Sequence, residues 1–194
     1  MPTPPPSGPV TPPASAWAPL GPRLAHWGFS RAGWGDNRRG EWWLLAQLLL
    51  ISALLLPPLP AVSRLGLPWP WPLRLPGAAL LALALVAAVR ALLQLGPSLT
   101  PLPEPLPGAP LVTSGPYARC RHPLYQAVLL AGLALALLLG SPLHLLITLA
   151  LAGVLGGKAR REERSLLQQH PDYAAYRRDT AAIVPRLPWL DWRG

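Results

Sequence analysis

Residues 76–95 limit this chain more than any other stretch. The run "PGAALLALALVAAVRALLQL" carries a single charge, Arg90. It is as long as the roughly 20 residues that a helix needs to cross a bilayer. A water-soluble fold would have to cover such a segment on every side. The remaining sequence is poorly equipped for that: 51% of the chain is hydrophobic, only 13% is charged, and the mean hydropathy is +0.30. That balance belongs to a small membrane protein.

Three further apolar runs accompany it, at residues 42–56, 124–139 and 143–155. Pro57 and Pro58 close the first. The last two are short and are separated only by Gly140, Ser141 and Pro142. Glycine, serine and proline in sequence mark a turn, so these runs predict a helical hairpin rather than one kinked segment. The expected fold is an all-α integral membrane bundle of about four transmembrane helices with a cytoplasmic C-terminal helix. Residues 1–40 read as a proline-rich, disordered tail, because so many prolines cannot build a packed core. They contain no apolar core like that of a signal peptide, so no cleaved leader is expected. Residues 41–98 hold the first two transmembrane helices and an outer loop, and residues 99–194 hold the hairpin and a C-terminal tail.

Basic residues orient the bundle. The net charge is +9. If both termini are cytoplasmic, all 17 basic residues except Arg64, Arg74 and Arg90 fall on the inner side, which is the positive-inside pattern. Arg90 lies near the inner end of its span, where it can snorkel. Because the charges flank apolar spans, no nucleic-acid partner is expected; the expected partner is the lipid bilayer. The compact chain points to a bacterial inner membrane. A lone cysteine, Cys120, excludes an internal disulfide, and no metal site is expected.

This orientation brings two polar clusters to one membrane face. The first is "GPYARCRHPLYQ", residues 115–126. Pro123 suits the first turn of a helix, where its missing N–H costs nothing. His122 then occupies the cap position, at a helix start whose free N–H groups favour an anion such as a carboxylate. Tyr125 follows His122 by three residues and shares its face. Gly115 and Pro116 shape a turn that returns Tyr117 toward the same place. The second cluster is "KARREERSLL", residues 158–167, on a helix continuing past the membrane. Lys158 and Glu162 share a face. Glu162 and Glu163 point in different directions, so one can face a pocket while the other pairs with an arginine. Downstream, residues 171–185 read as an amphipathic helix ending near Pro185. Taken singly, Arg119 and Arg121 read as juxtamembrane anchors, Cys120 as a small packing residue, and Tyr173 and Tyr176 as packing.

In order, "LVTSGPYARCRHPLYQ", the hairpin, "REERSLL", "YAAY" and "VPRLP" resemble the isoprenylcysteine carboxyl methyltransferase family of integral membrane enzymes, which is related to the phospholipid methyltransferases. The resemblance covers roughly residues 99–188. It implies S-adenosyl-L-methionine as cofactor, held by Leu111, Val112, Tyr117, His122, Pro123, Leu124, Tyr125 and Glu162 or Glu163. It implies His122, Tyr125 and Glu162 as the catalytic set and Lys158 as a contact to the substrate, where an arginine is usual in the eukaryotic enzymes. The chain has fewer amino-terminal spans than that family's protein methyltransferases, which leaves the acceptor open between small and lipid-like molecules. Methyl transfer needs mainly alignment and exclusion of water. A carboxylate acceptor needs no base, whereas a thiol or amine would, with His122 the first candidate. The alternatives are a nicotinamide-dependent membrane reductase of the sterol-reductase type and a non-catalytic module whose basic tail binds anionic lipid.

Overall fold

The computed structural model describes residues 31–60, 62, 66, 68–184 and 187–192. Residues 1–30, and with them most of the expected tail, lie outside the described residues, as do Arg64, Pro185, Arg186 and Arg193. The described chain is all helical, without strands. Its helices are α1 (Arg31–Asp36), α2 (Glu41–Ala53), α3 (Arg74–Leu95), α4 (Pro123–Leu139), α5 (Pro142–Gln169), α6 (Tyr173–Asp179) and α7 (Pro188–Asp191). Two helical stretches, Trp71–Ser98 and Pro142–Gln169, are long and apolar enough to cross a membrane. At 13 and 17 residues, α2 and α4 are shorter.

Helix α3 packs along α4, α4 against α5, and α5 against α2. The α3–α4 seam is built from small residues. Gly77, Ala84 and Ala91 are the buried positions of α3, each seven residues from the next, and Ala127 and Ala134 repeat that spacing on α4. Small side chains at this period let two backbones approach closely. At Gly77 a Cβ would lie 3.0 Å from the Leu138 backbone nitrogen. Most other side chains of α3 are exposed leucine, valine and alanine, as befits a lipid-facing helix.

The expected hairpin is present. Gly140, at φ 54°, ends α4 in the left-handed region, and Ser141 caps α5 by accepting from the His144 amide. Trp69 lies over Gly140 and its indole N–H donates to the Leu137 carbonyl at 2.8 Å. His144, fully buried, sits 2.7 Å from Ser141 Oγ through Nδ1 and 3.2 Å from the Leu54 carbonyl through Nε2. The end of α2 is thereby fastened to the hairpin turn.

Three expectations need adjusting. Helix α1 and the turn after it fall inside residues 1–40; Arg161 of α5 donates to the carbonyls of Asn37 and Arg38, which fixes that turn. The C-terminal helix stops at Asp179 rather than near Pro185. Beyond it the backbone bonds outward: the Ala181 and Ala182 carbonyls accept from the amides of Arg121 and His122 at 2.9 and 3.1 Å, so these groups are unavailable to a helix. Residues 180–184 and 187–192 therefore lie as a strap across the start of α4, with Ala182, Ile183 and Trp192 in one core cluster with Leu151 and Leu155. Arg121, expected as an exposed anchor, is buried.

Candidate functional site

The hairpin brings the foot of α5 against the start of α4. At their meeting point Arg121 is wholly enclosed, its side chain 0% exposed. Its Nε donates to Glu163 Oε1 at 2.7 Å. Its two terminal nitrogens donate to the carbonyls of Arg177 in α6 and of Thr180 and Asp191 on the strap. Glu163 also meets His122 Nε2 at 2.9 Å and Arg177 Nε at 3.0 Å. A buried carboxylate is tolerable only when paired in this way. Cys120 completes the fastening: its thiol donates to the Ala182 carbonyl.

Glu162 has the opposite setting. Its side chain is 28% exposed, and it lines two neighbouring clefts. Tyr125 donates to its Oε2 at 2.8 Å. The His122 ring stacks parallel to the Tyr125 ring at 5.1 Å, and His122 Nδ1 is 3.8 Å from Glu162 Oε2. The sequence expectation that one glutamate faces a pocket while the other pairs with an arginine is thus resolved in geometry: Glu162 faces the clefts and Glu163 holds Arg121.

The first cleft encloses about 620 Å³ including its open mouth. Leu111, Val112, Tyr117, Tyr173 and Tyr176 line it together with His122 and Glu162. Burial, with the Glu162 carboxylate adding, pushes the Tyr117 phenol well above its ordinary range, and burial does the same to Tyr173 and Tyr176. All three are thereby held in the neutral form. Tyr176 donates to the Tyr117 carbonyl at 2.6 Å. The Tyr173 hydroxyl is buried on the cleft wall without a hydrogen-bond partner among the described residues.

The second cleft spans about 820 Å³ including its open mouth. Leu44, Gln47 and Leu48 of α2 line it, with Leu124, Tyr125 and Val128 of α4 and Lys158 of α5. The two clefts share Leu95, Thr100, Tyr117, Arg121, His122 and Glu162.

Of the residues singled out in the sequence, Leu111 and Val112 lie on the first cleft, Leu124, Tyr125 and Lys158 on the second, and Tyr117, His122 and Glu162 on both. Pro123 is buried at the helix start and Glu163 sits behind the wall; neither lines either cleft. Gln47 and the structural part of Arg121 went unmarked in the sequence. A signal for Gln47 existed, since it is an amide in an otherwise greasy run. Among the described residues, no group of three His, Cys, Asp or Glu is placed to hold a metal ion.

A family model for phospholipid methyltransferase matches residues 73–171. Two curated proteins are similar over 78 residues, 40% of this chain. One is the cobalt-zinc-cadmium resistance protein CzcN of Cupriavidus metallidurans, 44% identical with 36% of its length covered. The other is the nickel-cobalt-cadmium resistance protein NccN of Alcaligenes xylosoxydans xylosoxydans, 37% identical with 37% of its length covered. The matched segment thus spans little more than a third of either relative. No solved structure matches.

Proposed function

This chain belongs to the phospholipid methyltransferase family, and from that premise we propose that it is an S-adenosyl-L-methionine-dependent membrane methyltransferase. In this reading the first cleft takes the cofactor and the second takes a small or lipid-like acceptor. The observation that carries it is the shared wall of Tyr117, Arg121, His122 and Glu162, where two ligands would meet.

The residues fit the cofactor. Glu162 offers a carboxylate to its ammonium or ribose hydroxyls, and Leu111, Val112 and the tyrosines offer apolar and aromatic walls to its adenine. The Tyr173 hydroxyl supplies a buried donor with no partner among the described residues. When bound, the cofactor supplies an electrophilic methyl group on a sulfonium. The protein's part is alignment: Glu163 and Arg121 hold the His122 ring, Tyr125 holds Glu162, and the apolar wall of α2 and α4 keeps water from the meeting point. For an acceptor that must lose a proton, His122 Nδ1 is the group on the shared wall able to take it. The wider reading includes α2 and α4 as additional crossings, with both termini and the site on the cytoplasmic side of a bacterial inner membrane.

Calorimetry on the chain purified in nonionic detergent should show saturable binding of S-adenosyl-L-methionine. Glu162→Gln should weaken it at least about tenfold, the loss expected for one charge-assisted contact, while leaving the melting temperature nearly unchanged. Glu163→Gln strands the buried Arg121 and should destabilise the fold by about 3–5 kcal/mol. A stable wild-type chain that binds no cofactor would sink the proposal.

A further inference from the structure

The second cleft receives one wall from outside the segment that the family model matches. Helix α2 precedes residue 73, yet it contributes Leu44, Gln47 and Leu48. Gln47 is the polar residue among them, and its orientation is fixed. Lys158 Nζ donates to Gln47 Oε1 at 2.7 Å and to the Pro101 carbonyl at 2.8 Å. An ammonium has no lone pair to offer, so the atom facing it must be the amide oxygen. The Gln47 amide nitrogen, with two N–H groups, is therefore turned away from Lys158 and has no hydrogen-bond partner among the described residues. Lys158 itself has three protons and places two. Its ammonium lies 5.4 Å from the Tyr125 ring centre, beside the cleft.

Two unspent donor sets, one of them charged, thus border a cleft whose other α2 and α4 walls are leucine, valine and Tyr125. Gln47 is half-buried on the cleft wall, so its free N–H groups are open to a ligand that enters there. We propose that Gln47 is a specificity-determining residue, reading together with Lys158 an anionic oxygen on the head of an amphiphilic acceptor whose apolar part lies against Leu44, Leu48 and Val128. This rests on the second cleft being the acceptor's. The choice of head group then lies in α2, where the matched family segment does not reach.

The test uses the full chain in nonionic mixed micelles and three probes of one tail length: oleate, oleyl alcohol and oleylamine. Calorimetry should show saturable binding of oleate and none of the other two. Gln47→Glu is the decisive variant. A carboxylate there still accepts from Lys158, so the melting temperature should hold or rise, but its oxygens replace the N–H donors and repel the head group. Oleate should weaken at least about tenfold, as for loss of a charge-assisted contact. Gln47→Leu, which removes the donors without adding charge, should weaken it less. Oleate binding by Gln47→Glu within threefold of wild type, or equal binding of oleylamine, overturns the inference. Cofactor titration of the same preparations separates the two readings. A chain that binds S-adenosyl-L-methionine but no oleate overturns this inference alone. One that binds oleate in a Gln47-dependent way but no cofactor overturns the methyltransferase reading alone.

Discussion

Cys120 and Arg121 adjoin in the chain, and the sequence treats them unequally. Cys120 was read as a small packing residue, and its burial beneath the strap agrees. Burial, opposed in part by the His122 amide and the Arg121 charge, pushes its thiol up to about 11. The fold therefore favours the protonated form. Its contribution to stability is full below the unfolded value near 9 and is lost as pH rises through about 11. At pH 8 only about a thousandth is thiolate, so iodoacetamide should leave the folded chain unlabelled and should label it promptly once denatured. Rapid labelling of the native protein at that pH would contradict this placement. Arg121 was less legible. A lone arginine beside a span usually anchors it in lipid headgroups, and its true partner, Glu163, lies 42 positions away. His122 and Tyr125 were readable because a helix start and a spacing of three are local facts. Burial of a guanidinium depends on tertiary packing, which no local pattern reports.

Among the elements, α2 to α5 follow from the four apolar runs, and the hairpin follows from Gly140, Ser141 and Pro142. The C-terminal segment was misjudged because its spacing is compatible with a helix, whereas its backbone groups find better partners on Arg121, His122 and Leu190. Glycine gives a sharper test of how α2 is held. In α5, a Cβ at Gly157 would press into the Trp43 ring of α2, while at Gly153 it would meet nothing within 4 Å. Gly157→Ala should destabilise the chain by about 1–3 kcal/mol through overpacking. Gly153→Ala, in the same helix, should be neutral or stabilise it by up to about 1 kcal/mol. Thermal unfolding in detergent compares the two, and equal shifts would mean that the α2–α5 contact is not close in solution.

For the whole molecule, charge placement sets a direction that is open to measurement. With Cys120→Ala as background, a cysteine at Trp71 should react with a membrane-impermeant maleimide in intact cells. One at Gln168 should react only after lysis. Both positions are exposed, so the reverse pattern would invert the proposed orientation. The sequence foretold the meeting of the two polar clusters, since one hairpin suffices to join them. It did not foretell two clefts, because the second depends on α2 packing against α5 across more than a hundred residues. On the proposed function those clefts hold donor and acceptor against a common wall, so their occupancies would not be independent. A charge arriving beside Glu162 from one side changes what the other side meets. The factor by which a donor alters acceptor affinity must then equal the factor by which the acceptor alters donor affinity. A dissociation constant measured for either ligand alone describes one edge of a four-state cycle.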